Sequence, residues 1–427
     1  MVSKFPRFYD IALNLLTLEN LSICPKLGLV IQTCFILEPA MPKLSIYLHR
    51  DLRRSVLRGH PWIYRESISS PPALEKAQLA QVFDRKKEPL AWALFDPHAP
   101  LCLRILSLEK KPPVFEVFQK RFAEALALRR SVVSENTTSY RLFNGEGDLL
   151  PGLICDIYGS IAVLQFDGQG PNEFWDKKGI ADWLVQEKVV SSVVEKFRRN
   201  TQGGIQLLAG EKCENEVIIL ENGIQFKVDL QKGQKTGFFL DQRDNRKYIQ
   251  SVTKGASVLN LFSYSGGFSV YAGLGGATKV ASLDVAEGAI QLATENWRLN
   301  GLAAEKHQGL CVDVFDYLNG DKEMWDHVIV DPPSMGHSED QKDRAQAKYI
   351  ELFAAAAKRV RSKGHLSLSS CSSHISFQDF FEIINESVSK ANRRGQILKI
   401  SGQGPDHPFP HSCHELRYLK FVNLILN

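Results

Sequence analysis

No C-x-x-C pair occurs in this chain, although eight cysteines are scattered over its 427 residues. That lack argues against a disulfide framework or a zinc ribbon and fits a reducing, cytoplasmic setting. His407, His411, Cys413 and His414 lie close in sequence, but no second ligand pair at zinc-site spacing accompanies them, so no metal is expected. Long apolar runs are lacking too. Leu27–Leu37 spans eleven residues between Pro25 and Pro39, too few to cross a bilayer. No basic stretch leads into a long apolar core with a cleavage site, so neither a secretory signal nor a membrane partner is expected. No internal repeat or low-complexity tract is visible.

What is present bounds the answer further. The length calls for two or three domains, and 44% hydrophobic residues is ordinary for a globular chain. The formal charge of +4 is unevenly spread. Lys43 to Lys111 holds 13 Lys/Arg against 7 Asp/Glu, a net of +6, whereas Pro112 to Asn427 holds 36 against 38, a net of −2. A small basic module on a near-neutral body reads as a nucleic-acid handle on an enzyme, against the plainer reading of a solvated basic face. Residues 1–42 form an N-terminal extension without a motif. Met41 directly precedes a first strand, so translation is expected to start there; the alternative is a docking or targeting extension.

Proline and glycine punctuation cuts the rest into three blocks. The block 43–111 is β-rich, with runs at Leu44–Leu48, Leu79–Phe83, Leu90–Phe95 and Leu101–Leu106 and a short basic helix at Asp51–Leu57. Pro112-Pro113 closes it. The block 114–230 opens on a helix at Val114–Val133, followed by five strands. Glu221-Asn222-Gly223 between the last two is a hairpin signal. The block 235–427 alternates strand and helix, which predicts an α/β fold: a mostly parallel sheet with helices on both faces.

Chemistry concentrates at strand ends of the third block. Val258–Leu261 runs into a turn with Gly266 and Gly267 and then a helix, a place where backbone can approach a ligand. Asp284 ends the next strand, where an acid can accept both ribose hydroxyls of an adenosine cofactor. Asp313 follows the third strand and Asp331, in Asp331-Pro-Pro-Ser334, the fourth. Cys371 ends the run Gly364–Ser370. Ligands of such sheets bind outside the carboxyl ends of the strands, so Asp331 and Cys371 are expected on one rim. The dinucleotide fingerprint G-x-G-x-x-G is missing, which disfavours a nicotinamide cofactor and favours an adenosine cofactor without phosphates, S-adenosylmethionine (SAM).

These features resemble a family. The third block looks like a class I methyltransferase with a Rossmann-like sheet. Residues 43–427 resemble the bacterial large-subunit ribosomal RNA cytosine-C5 methyltransferases that carry an N-terminal PUA domain. The matching runs include Leu57–Tyr64, Arg141–Leu153, Gly233–Arg246, Asn260–Phe268, Asp331-Pro-Pro, Ser370-Cys-Ser, Asp406-His-Pro and Tyr418-Leu-Lys420. The resemblance implies that Gly237–Arg243 folds over the cofactor, with Gln242 reaching its methionine end. Phe262, Gly266 and Gly267 would form the cofactor loop, Asp284 would hold the ribose, and Asp313 would lie by the adenine. Asp331 would bridge cofactor and base, and Cys371 would be the nucleophile. Block 43–111 would be a PUA-like RNA-binding domain, with Arg53, Arg54 and Arg58 toward RNA, 114–230 a middle α+β domain, and 235–427 the methyltransferase domain. The partner implied is large-subunit ribosomal RNA, and a homodimer is suggested.

The residue types suit that chemistry. C5 of cytosine is a poor nucleophile until a thiolate adds to C6. An acid at N3 then stabilises the developing charge. By itself Cys371 also reads as a small buried hydrophobe. The base that removes the C5 proton is not legible, with His374 and His407 as candidates. The runner-up is methylation of another position, such as a guanine exocyclic amine, with Cys371 structural. The third reading is an RNA-binding protein without turnover.

Overall fold

The computed structural model describes residues 44–197, 204–320, 322–336 and 341–427, so the readings of residues 1–42 lie outside the described residues. Short strands of alternating burial build the first sheet: β1 (Leu44–Tyr47), β2 (Trp62–Tyr64), β3 (Gln78–Phe83), β4 (Pro89–Phe95) and β5 (Leu101–Ser107). Their order is β1-β3-β4-β5-β2, around Ile46, Val82, Ala93 and Leu103. The basic helix α1 (Arg53–Leu57) lies between β1 and β2 and buries only Val56.

Next come α2 (Phe115–Val132), β6 (Ser139–Asn144), β7 (Leu153–Tyr158), β8 (Ile161–Phe166), α3 (Gln169–Phe174), α4 (Lys177–Gln186), β9 (Ser192–Lys196) and β10 (Ile205–Gly210). The strands form a second sheet ordered β10-β9-β8-β7-β6. Phe118 and Phe122 of α2 pack on Trp175 and Trp183 in its core. A separate hairpin follows, β11 (Glu216–Glu221) and β12 (Ile224–Asp229). Asn222 and Gly223 both take positive φ, 51° and 81°, as a two-residue hairpin turn requires. The hairpin leans on the third block: Phe226 stacks on Tyr271, and Asn296 accepts from the Lys227 amide.

The third block contains α5 (Arg243–Val252), β13 (Ser257–Leu261), α6 (Gly267–Leu274), β14 (Lys279–Asp284), α7 (Glu287–Leu299), β15 (His307–Cys311), α8 (Val314–Gly320), β16 (Trp325–Val330), α9 (Lys342–Ala357), β17 (Val360–Ser370), α10 (Phe377–Lys390), β18 (Gly395–Ser401) and β19 (Lys420–Leu426). Its seven strands are ordered β15-β14-β13-β16-β17-β19-β18. The first five are parallel, and β19 and β18 add antiparallel. Central strands such as β13 are buried on both faces, which is why they read as apolar runs rather than alternations. Leu259, Val328 and Leu366 face α9 and α10, while Val258, Val280 and Ile329 face α6 and α7. The strand order reverses between β13 and β16, and that switch point opens a crevice at the carboxyl ends.

Candidate active site

Four neighbouring parallel strands deliver the site. Phe262 follows β13, Asp284 ends β14, Asp331 follows β16 and Cys371 follows β17. All four line one solvent-open cavity of about 250 Å³, with Gln242, Gly267, Lys235, Asp241, Tyr264 and Leu419.

The loop after β13 is held in an uncommon shape. Phe262, Tyr264 and Gly266 have φ of 57°, 43° and 76°. Such strain in non-glycine residues clusters where backbone must approach a ligand. A Cβ on Gly266 would lie 2.7 Å from the Ala293 Cβ of α7, so this glycine serves the packing of loop on helix. Gly267 reaches the cavity itself, over Arg246. The Tyr264 amide donates to Asp284 Oδ2 at 2.9 Å and the Ala286 amide to Oδ1 at 3.0 Å. Each oxygen keeps acceptor capacity toward the cavity.

Across the cavity, buried ion pairs fix the segment 233–246. Arg246 grips Glu221 through bonds of 2.7 and 2.6 Å, and Arg243 grips Asp406 through bonds of 3.0 and 2.8 Å. Thr236 donates to Asp156, which also pairs with Arg141 at 2.6 Å. Within this frame Ser401 donates to Asn245 at 2.7 Å, Asn245 to Gln242 Oε1 at 2.6 Å, and Gln242 Nε2 to Asp331 Oδ1 at 2.9 Å. The second N–H of Gln242 faces Ser369 Oγ at 3.5 Å. The shorter of these bonds holds Gln242 against Asp331, so the amide orients that carboxyl at the cavity wall.

Burial and the neighbouring Asp241 carboxylate push the Asp331 carboxyl up to about 6. Asp241 stays ionised, because Lys235 and Tyr418 both donate to its Oδ2 at 2.6 Å and hold it below the usual carboxylate range. Burial also raises the Cys371 thiol. The cavity therefore holds one carboxyl able to share a proton near neutrality, one fixed ion pair and one resting thiol.

A relative from Deinococcus radiodurans, named ribosomal RNA large subunit methyltransferase, is 34% identical over 400 residues, 90% of this chain and 97% of that protein. The chain belongs to this family. A second relative, ribosomal RNA large subunit methyltransferase I of Vibrio parahaemolyticus, is 34% identical over 393 residues, 88% of this chain and 98% of that one. Residues 176–346 match the family of S-adenosylmethionine-dependent methyltransferases, and residues 46–108 match PUA-like domains. Among solved structures, a protein described as a SAM-dependent methyltransferase from Streptococcus mutans superposes with a TM-score of 0.80 at 25% identity, over 90% of this chain and 100% of that one. Another, complexed with SAH, gives 0.79 at 25% identity, over 90% and 99%.

The methyltransferase fold and the SAM cofactor follow from these matches. The residues fit that cofactor: Asp284 offers acceptors for a ribose, and the strained 262–266 loop exposes backbone beside it. Not every sequence-derived position comes to this wall. Asp313 is outside the cavity lining, and its Oδ1 accepts from the Phe315 and Asp316 amides at the start of α8. His407 is buried against Asp406 at 3.1 Å, and neither it nor His374 lines the cavity. Lys235, Asp241 and Tyr264 were missed, although all three fall inside runs the resemblance had marked.

The arginines of the basic module differ in their surroundings. Arg53 is bound to Asp84 at 2.8 Å and lies near Glu88, so it is a structural partner of the β3–β4 turn. Arg104 is buried between Glu146 and Asp167, and Arg65 is spent on carbonyls of the 96–99 turn. Arg54 and Arg58 are exposed and line an open depression with His60 and His411. The histidine-cysteine grouping differs as well: Cys413 lies with His60 and Glu415, ligand atoms within 4.8 Å of one another, rather than with His407. Among the described residues, no helix is long and apolar enough to cross a membrane.

Proposed function

We propose that this methyltransferase modifies C5 of a cytosine in large-subunit ribosomal RNA, in the cytoplasm, through a covalent bond between Cys371 and C6 of the base. The observation that carries the reading is the arrival of Cys371 and a proton-sharing Asp331 on adjacent strand ends at the SAM cavity. Bound SAM supplies an electrophilic methyl group. The protein must make C5 nucleophilic. The Cys371 sulfur adds to C6, forming the S–C6 bond and leaving C5 enamine-like. Asp331, held by Gln242, shares its proton with N3 as charge develops there. C5 would then take the methyl group of bound SAM, with S-adenosylhomocysteine leaving, and loss of the C5 proton to a base would break the S–C6 bond and restore the ring. Asp284 accepts from the ribose hydroxyls. The PUA-like module holds RNA through phosphate and shape contacts at Arg54 and Arg58.

Relatives named for ribosomal RNA support the substrate class. For assembly we propose a homodimer through β18. This edge strand exposes Ile397, Leu398 and Ile400 at 45%, 52% and 49%, an apolar edge that proteins ordinarily cover. Light scattering giving a monomer at working concentration ends that part.

The deciding experiment is Cys371→Ala with RNA carrying 5-fluorocytosine. The variant is expected to lose methylation and keep cofactor binding, and the parent to form a trapped adduct, because fluorine blocks the final proton loss. Retained activity in the variant with no adduct in the parent transfers the case to an exocyclic amine oriented by Asp331. No turnover on any ribosomal RNA, with intact cofactor and RNA binding, leaves an RNA-binding protein.

A further inference from the structure

The cavity chemistry leaves one buried charge unused. Lys420 opens β19 directly opposite Ser370, the last residue of β17, and is 0% exposed. Its ammonium donates to the carbonyls of Ser372 at 2.5 Å, Ile375 at 2.7 Å and Tyr418 at 2.7 Å. Three donors meet three acceptors, an arrangement only the protonated amine can satisfy. Among the described residues no carboxylate pairs with it; the nearby Asp379 is bound to Lys342 at 3.0 Å. A buried cation without an acidic partner is costly, so its retention calls for a reason. Ser372 and Ile375 belong to the turn that begins at Cys371, and Ser372 is anchored a second time through Gly336.

We propose that Lys420 is the positioning residue for Cys371: its ammonium draws the turn after the cysteine inward and keeps a positive charge beside the sulfur for the thiolate that adds to C6. This deepens the cysteine reading above and rests on it. The charged and titratable groups around the sulfur divide clearly. Asp331 and Asp241 oppose the thiolate; Lys235 and Lys420 favour it; Tyr349 and Tyr418 are phenols kept neutral by burial. Lys235 is neutralised by Asp241, which leaves Lys420 as the cation with no carboxylate of its own. Burial lowers its ammonium to about 8, and the adjacent sulfur acts in the opposite direction.

The test uses the full-length protein without RNA. Iodoacetamide labelling of Cys371, read by peptide mass spectrometry across pH, reports the thiolate fraction. Lys420→Gln removes the charge and keeps two of the three N–H donors. Its labelling midpoint is expected to rise by about one pH unit, a tenfold loss of thiolate at fixed pH. An unchanged midpoint in a folded variant overturns the proposal and leaves Lys420 as a strap. Should Lys420→Gln not fold, the reciprocal measurement decides. A carbon-13 titration of Lys420 is expected to show a lower midpoint in Cys371→Ala than in the parent, since coupling runs both ways; equal midpoints overturn it. Neither readout involves methyl transfer, so failure here and failure to trap an adduct are separate results.

Discussion

Two regions rich in arginine behave in opposite ways. On α1, Arg54 and Arg58 stand exposed over an open depression. In the segment 233–246, Arg243 and Arg246 are each 3% exposed and held by two hydrogen bonds to a buried acid. A charge count treats the four alike. Packing separates them into a surface that attracts a polyanion and a clamp that fixes one wall of the cofactor cavity. Arg53, next to Arg54, stands between the two kinds, 39% exposed at its side chain yet bound to the buried Asp84.

The sharpest way to break the contrast is to open a clamp. Arg243→Met leaves buried Asp406 with only His407 and the Arg141 amide, and about 2–4 kcal/mol of stability is expected to disappear. Denaturant titration checks the value. Asp406→Leu added to Arg243→Met is expected to recover part of it, since an apolar pair leaves no buried charge.

Asp331 tests a buried charge with no cation of its own. Its folded midpoint of about 6 lies above the ordinary carboxylate value of 3.8. The carboxyl is neutral in folded and unfolded chains at low pH, so its contribution is intact there and is lost as pH rises through about 6. Asp331→Asn is therefore expected to abolish methylation yet to raise stability at pH 8 by roughly 1–3 kcal/mol, with the gain vanishing below about pH 4. Thermal unfolding across pH measures it; a gain that is independent of pH contradicts the ionisation argument.

Smaller effects come from groups that meet solvent or ligand. Asp284→Ala is expected to weaken SAM binding about tenfold, the loss of one or two charge-assisted hydrogen bonds. Calorimetry with unchanged affinity places the ribose elsewhere. Arg54→Gln with Arg58→Gln is expected to leave stability within about 0.5 kcal/mol and to flatten the salt dependence of RNA binding by roughly 1.5 in log–log slope. Adding Arg53→Gln to that pair is expected to cost stability with little further change in slope.

How much of this was legible depends on what each residue answers to. The alternating strands and helices of the third block follow from local patterning, and the positions of Asp284, Asp331 and Cys371 at strand ends follow with them. The strand β6 was not legible because Arg141 sits in its middle, and only the distant Asp156 makes that arginine a strand residue. α5 was hidden for a like reason: Arg243, Asn245 and Arg246 are buried polar residues whose partners Asp406, Ser401 and Glu221 lie far off in sequence. Gln242 was placed at the cavity, but its direction was set by Asn245 and Ser401, the latter more than 150 residues away. The local partners of Asp313 and Arg53, the amides that open α8 and the Asp84 carboxylate, were not legible, because they depend on how the chain turns after each strand.

The position of β19 carries a consequence for the order of synthesis. This strand is the last of the seven to be made, yet it lies between β17 and β18. Until it is made, β17 lacks its antiparallel neighbour, β18 has nothing to pair with, and the Cys371 turn has no ammonium drawing it inward. The Asp284 side of the cavity, built from β13 and β14, needs none of this and can form from local parallel pairs. A growing chain thus completes the Asp284 wall of the cavity before it completes the turn after Cys371. The turn after Cys371 takes its final form only once the last strand of the sheet has been made and Lys420 can hold the Ser372 and Ile375 carbonyls.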